Sequence, residues 1–177
     1  MTEWISSSAQ YLAPREPGLP DAWRQEAAQH GRIGAHRLIA VERQVPPPRV
    51  ALLLGLEPEQ PAVVRRRLVT LDELPVEVSD SWYPPAIADG TVLAEPRAIR
   101  GGAVKALAEL GYEAAKHIEE VAVVDMPEEL LNLLPETVAL ELTRVSYTAA
   151  GLPFEVAHMV MSRELSPGVA RRLHYEL

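Results

Sequence analysis

The stretch AVVRRRLVTLDELPVEVSDSWYP (Ala62–Pro84) decides the fold. It reads as a strand, a tight turn at Asp72-Glu73 and a second strand. Side chains alternate across a strand, so Val63, Arg65, Arg67 and Val69 share one face and Val64, Arg66 and Leu68 the other. In the second strand Val76, Val78, Asp80 and Trp82 alternate with Glu77, Ser79 and Ser81. A two-residue turn sets Arg65 against Asp80, Arg66 against Ser79 and Leu68 against Glu77. Three successive arginines exceed what a purely structural hairpin needs.

The stretch recurs 78 residues later, where Leu74-Pro75-Val76-Glu77-Val78 matches Leu152-Pro153-Phe154-Glu155-Val156. The same offset places Arg66 on Arg144. Upstream, Leu54–Val64 parallels Leu131–Leu140, each with a Pro-Glu pair. Two related units follow, each a helix, a turn, a strand, a turn with LPxEV and a strand. Two matched hairpins join into one antiparallel sheet with an approximate two-fold axis, and the place where they meet is a natural cleft.

The 177 residues make one domain, or a domain with a terminal extension, and 47% hydrophobic residues supply a core. No run approaches the roughly 20 apolar residues of a membrane span. The N-terminus MTEWISSSAQ lacks the basic and apolar regions of a signal peptide, so the expected location is cytoplasmic. With no cysteine, disulfides, zinc-thiolate sites and cysteine nucleophiles are excluded. A net charge of −8 argues against nucleic-acid binding by this chain itself.

In chain order, residues 1–19 read as an extended lead-in. Asp21 caps a short helix stopped by Gly31. Ile33–Val45 is a strand, and Pro48 opens a helix through Leu56. After the first hairpin, residues 85–96 are irregular or briefly helical. Gly101-Gly102 precede a helix over 103–110 that Gly111 closes. Tyr112–Met126 is a strand, and Pro127 opens a helix over 127–134. Val138–Thr148 and Phe154–Ser162 form the second hairpin. Ser166-Pro167-Gly168 is a turn, and Arg171–Leu177 a last strand. The fold class is α+β, a mainly antiparallel sheet with helices covering one face.

Arg65 and Arg67 share a face and suit a bidentate grip on a carboxylate or phosphate, although a cross-strand ion pair would equally occupy Arg65. Glu77 and Glu155 hold equivalent places in the two units and suit ligand hydroxyls or amines. A glycosidase would pair two carboxylates, but nothing else here supports that chemistry. Gly101-Gly102 at a helix start can turn backbone N–H groups toward an anion, or can simply form a turn. Met159 and Met161 share the face of Glu155, as core or as an apolar pocket wall. The five histidines lack metal-ligand spacing and read as structural, and no metal or organic cofactor is expected.

Residues 50–84 resemble the opening of a UTRA domain, the effector-binding domain of HutC-type regulators in the GntR family. The likeness rests on Leu54-Gly55-Leu56, Pro58, Arg65–Arg67, the turn before Pro75, and Tyr83-Pro84. It continues through Leu93-Ala94-Glu95-Pro96, Gly101-Gly102, Leu110-Gly111-Tyr112, Glu119-Glu120 and Pro127. It ends at Arg144, Tyr147, Gly151, Pro153, Glu155 and His174–Leu177. The resemblance implies a chorismate-lyase-like fold over residues 33–177, a non-enzymatic role, a small polar or anionic effector and a homodimer. A separate winged helix-turn-helix domain would bind operator DNA. Residues 1–32 contain no such motif and would be linker, with the DNA-reading half absent.

For the site, the resemblance implies that Arg67, with Arg65, holds an anionic group of the effector. Gly101 and Gly102 would donate backbone N–H groups. Glu77, Ser79 and Glu155 would take hydroxyls or amines, and Met161 would line the apolar side. Sugar-phosphate-sensing members carry Arg-x-Arg in the first hairpin strand. Here that pair falls on Arg67 and Val69, so the second arginine is missing unless Arg65 replaces it. A tyrosine common in those members is Met161 here. Both departures point to a more apolar or differently charged effector. The rival reading is a lyase on the same fold, using the arginines and a glutamate for elimination.

Overall fold

The computed structural model describes residues 4–12, 19–162 and 169–171. The turn expected at Ser166-Pro167-Gly168 lies outside them, as does the last strand beyond Arg171. Six strands form one antiparallel sheet: β2 (Gly34–Gln44), β3 (Ala62–Leu71), β4 (Leu74–Tyr83), β5 (Lys116–Asp125), β6 (Val138–Tyr147) and β7 (Pro153–Ser162). Their order is β2-β3-β4-β7-β6-β5. The two hairpins, β3-β4 and β6-β7, therefore meet at the centre of the sheet. A small parallel pair, β1 (Trp4–Ser6) with β8 (Val169–Arg171), stands apart.

The first hairpin closes on Asp72 and Glu73, both left-handed, with φ of 49° and 69°. That is the turn whose twist matches paired strands. Asp72 tolerates it because its carboxylate accepts from the Ile33 amide at 2.7 Å and from Arg32. The register differs from the sequence expectation beyond the turn. Thr70 opposes Pro75, but Val69 opposes Glu77, leaving Val76 as the extra residue of a β-bulge. Every later pair shifts by one. Arg65 faces Ser81 rather than Asp80, Arg66 faces Asp80 rather than Ser79, and Leu68 faces Val78 rather than Glu77.

The second hairpin carries the same bulge. Tyr147 opposes Pro153 and Ser146 opposes Glu155, so Phe154 is extra. LPxEV is thus a bulge motif, and x is the bulged residue. A bulge re-aims side chains. Val76 joins the cluster of Val69 and Leu71, and Phe154 that of Val63 and Tyr83, on the face that alternation alone would deny them. The second turn is one residue longer, which corrects the repeat alignment. Arg144 opposes Ala157 as Arg67 opposes Ser79, so Arg144 is equivalent to Arg67 and not to Arg66.

Helices lie on both faces rather than one. On one face, α3 (Pro48–Leu54) packs Val50 and Leu54 on Val64, Trp82 and Val156. The expected helix over 127–134 is only a 3₁₀ turn, Glu128–Leu130. Leu130 and Leu134 still cover Leu68, Val78 and Val160. On the other face, α2 (Ala22–Gln29) rests on Val69, Leu71 and Val76 through Trp23 and Ala27. It comes so close that a Cβ on Gly34 would lie 2.9 Å from both Trp23 and Ala27. Trp4 stacks on Trp23 and His30 and donates to the buried Glu26 at 2.7 Å. Glu26 also accepts from Tyr11 of α1 (Ala9–Leu12). The same face carries α4 (Pro85–Ala88) and α5 (Gly102–Glu109), which bury Ile87, Ala88 and Leu107 against Val63, Tyr83 and Phe154.

Candidate functional site

Between this second face and its helices lies a cavity of about 900 Å³. Its floor is built from the positions that alternation and register bring together: Arg65, Arg67, Ser79, Ser81, Glu155 and Met159. Ser146 and Arg144 of β6 and His117 of β5 extend it across the sheet, and α5 lines it with Val104 and Leu107.

Arg67 is half-buried. Its Nη2 reaches the Ser79 Oγ at 3.4 Å and the Ser81 Oγ at 3.3 Å, long contacts that leave it weakly bound. Its Nε is buried without a partner, and among the described residues no carboxylate pairs with it. Arg144, its repeat equivalent, donates from Nη1 to Glu119 at 3.2 Å, and its Nε is likewise buried and unpartnered. Buried donors without acceptors cost free energy, and an anion in the cavity would supply the acceptors.

Arg65 has a different task. Its guanidinium donates to the carbonyls of Val92, Leu93, Glu95 and Arg97, the closest at 2.6 Å. Burial lowers its pKa, but as an arginine it stays charged. The expected grip by Arg65 on a ligand is therefore corrected: its donors hold the segment leading into α5. Gly101 lines the cavity in a left-handed conformation, φ 84°. The Gly102 amide is spent on the Ile99 carbonyl at 3.0 Å, so Gly102 does not offer it to a ligand.

Ser79 is buried and Glu77 borders the cavity, both on the Arg67 face. Glu155 accepts from the Tyr83 hydroxyl at 2.9 Å. Burial, reinforced by the Glu155 charge, pushes the Tyr83 phenol far up, so it remains a neutral donor. His117 Nδ1 lies 3.1 Å from the Ser146 hydroxyl. Burial, with Arg144 close by, lowers the His117 pKa and favours the neutral ring. Met161 and Met159 line the apolar side, packed against the buried Leu142 and Ala157.

Sequence reasoning missed Ser81, Tyr83, His117, Glu119 and Ser146, and misplaced Arg144. Parity from the correct register would have found Ser81, Tyr83 and Ser146; His117 and Glu119 lie on a strand that the repeat does not cover. Among the described residues no cluster of His, Asp and Glu is placed to hold a metal, and no helix is long and apolar enough to cross a membrane.

The UTRA domain profile matches residues 29–164. An uncharacterized HTH-type transcriptional regulator of Streptomyces coelicolor, SCO4628, is 36% identical over 114 residues, 61% of this chain. The chain spans 42% of that regulator's length. The effector domain of PhnF from Mycobacterium smegmatis superposes with a TM-score of 0.69 at 17% identity, covering 87% of this chain and 95% of that one. The C-terminal domain of Yurk from Bacillus subtilis gives 0.66 at 17% identity, covering 78% and 94%. These likenesses show the shared fold. The family is one of regulator domains and not of enzymes, which removes the lyase reading. The chain belongs to the UTRA domain family, the effector-binding domains of GntR-family transcriptional regulators.

Proposed function

We propose that this domain senses a small anionic metabolite in the cavity beneath α5, as the effector module of a HutC-type repressor. The observation that carries the reading is Arg67: a half-buried guanidinium with no carboxylate partner among the described residues, an orphan Nε and only two long serine contacts. Arg67 clamps the anionic group, and Arg144 adds its Nε from the far side. Ser79, Glu77 and Glu155 take hydroxyls or amines, with Gly101 beside them. Met161 and Met159 face the apolar part of the effector.

In this reading residues 33–177 form the effector module, and 1–32 lead into it from a winged-helix domain that reads operator DNA in the cytoplasm. The effector acts by binding one spacing of the two DNA-reading heads better than another, because a ligand that binds both equally shifts nothing. The test is a thermal-shift titration with sodium phosphate at constant ionic strength. Phosphate should raise the melting temperature of the wild type and leave Arg67→Ala unmoved. Equal responses from both proteins would overturn the assignment.

A further inference from the structure

The cavity floor carries a carboxylate that its own residues leave unbalanced. Glu155 accepts from the Tyr83 hydroxyl at 2.9 Å and lies opposite Ser146. Among the described residues it has no ion pair, and the nearest arginine on β6, Arg144, is taken by Glu119. His117 comes next in the same row across the sheet, but burial favours its neutral ring. Arg67 stands at the far end of a directed chain of hydrogen bonds. Its Nη2 donates to the Ser81 Oγ at 3.3 Å, the Ser81 hydroxyl bonds to the Tyr83 oxygen, and the Tyr83 hydroxyl donates to Glu155. Guanidinium and carboxylate are thus linked through two hydroxyls and kept from pairing. The backbone enforces this: Arg67 is on β3 and Glu155 on β7, with β4 between them, two strand spacings or about 10 Å apart.

We infer that the effector is a short zwitterion, with its anionic group on Arg67 and an ammonium group on Glu155. This rests on the anion reading of Arg67 and names the other end of the molecule. An effector without a cation would set a second negative charge beside Glu155 in a half-buried site, where like charges repel more strongly than in water. A hydroxyl would donate to Glu155 but leave its charge uncompensated, whereas an ammonium group does both. Glu77, the repeat equivalent, is the poorer place for a cation, because it lies opposite Met161 rather than among hydroxyls. The length follows from the chain. Its three hydrogen bonds end to end span at most about 9 Å. The effector's own hydrogen bonds take about 2.9 Å at each end, which leaves about 3 Å between its anionic oxygen and its nitrogen. That is the spacing of an amine carried two or three carbons from the anion.

Isothermal titration with 2-aminoethyl phosphate and 2-hydroxyethyl phosphate tests this, since the two differ only in the terminal group. The wild type should bind the amine about tenfold more tightly. Glu155→Gln keeps an acceptor for Tyr83 but loses the charge, so the ratio of the two affinities should fall to about one. A merely structural Glu155 would weaken both compounds alike and preserve the ratio. Equal binding of the two by the wild type would overturn the zwitterion and leave the anion reading standing. A preference for the amine that survives in Glu155→Gln would equally remove Glu155 as its partner. Binding of neither compound by the wild type would sink both readings together. The wild-type ratio decides by itself if the variant does not fold.

Discussion

Asp80 and His158 stand 78 residues apart in the sequence and directly opposite each other on the two central strands. They are the same position of the two repeat units, so the approximate two-fold axis of the fold passes between them. Equivalent in place, they differ in chemistry. Asp80 is nearly buried and takes two hydrogen bonds from Arg66, at 2.8 and 2.6 Å, which raise the Arg66 pKa. His158 is more exposed and meets Glu141 at 2.9 Å.

The two halves of the axis should therefore respond unequally to truncation. Asp80→Ala should cost about 2 kcal/mol in urea unfolding, because it strands the Arg66 guanidinium over the sheet. His158→Ala should cost about 0.5 kcal/mol, as expected of a partly exposed pair. Equal losses would contradict the asymmetry.

Arg65 ties four carbonyls of residues 92–97 to the sheet. Lysine keeps the charge but not the planar fork. Arg65→Lys should lose about 3 kcal/mol, from several charge-assisted hydrogen bonds each worth about 1.5–3 kcal/mol. Hydrogen exchange should rise first at Leu93 and along α5. A variant as stable as the wild type would remove Arg65 from this scaffold role.

Glu73 holds a left-handed conformation without the local hydrogen bonds that Asp72 enjoys. That conformation costs a residue with a side chain about 1 kcal/mol. Glu73→Gly should stabilise the protein by up to about 1 kcal/mol, read as a higher denaturation midpoint with an unchanged slope.

His117 has a folded-state pKa below its ordinary 6.5, chiefly from burial and then from Arg144. The unfolded chain thus binds its proton more readily than the folded one. Stability is full above pH about 6.5 and falls as the pH drops below that value toward the folded pKa. His117→Gln should flatten this acid limb, measured as melting temperature between pH 5 and 7.5. A variant with the same slope as the wild type would place the titrating group elsewhere.

Phosphate binding should separate the cavity residues. Arg144→Ala should weaken it roughly tenfold, a loss of one charge-assisted hydrogen bond of about 1.5 kcal/mol. Ser79→Ala should weaken it less, because that hydroxyl's contribution is to hold the Arg67 guanidinium in place. Isothermal titration checks both, and an Arg144→Ala variant of wild-type affinity would confine the anion to Arg67.

Much of this was legible in the sequence. The hairpin turn, the internal repeat, the cap at Asp21 and the helix after Gly101-Gly102 follow from alternation, turn residues and spacing. The register was not, because a bulge is one residue of backbone geometry with no side-chain signature of its own. Only the repetition of LPxEV marks it, and only once the strands are paired. That single residue moved Asp80 from Arg65 to Arg66 and set Arg65 against Ser81. The role of Arg65 was hidden for another reason: its acceptors are carbonyls, which every residue has. The helix expected after Pro127 shrank to a 3₁₀ turn, yet Leu130 and Leu134 bury the same leucine face a helix would have offered.

The serines that flank Asp80 on the cavity floor, Ser79 and Ser81, have Ala157 and Met159 as their counterparts around His158. The frame is close to symmetric, but what is written on it is not. A molecule lying across the axis meets an arginine on each side, Arg67 and Arg144, but the hydroxyls of Ser79 and Ser81 on one side and the thioether of Met159 on the other. A ligand in this cavity would therefore meet different partners at its two ends, and a compound with two identical ends would match only half of the floor.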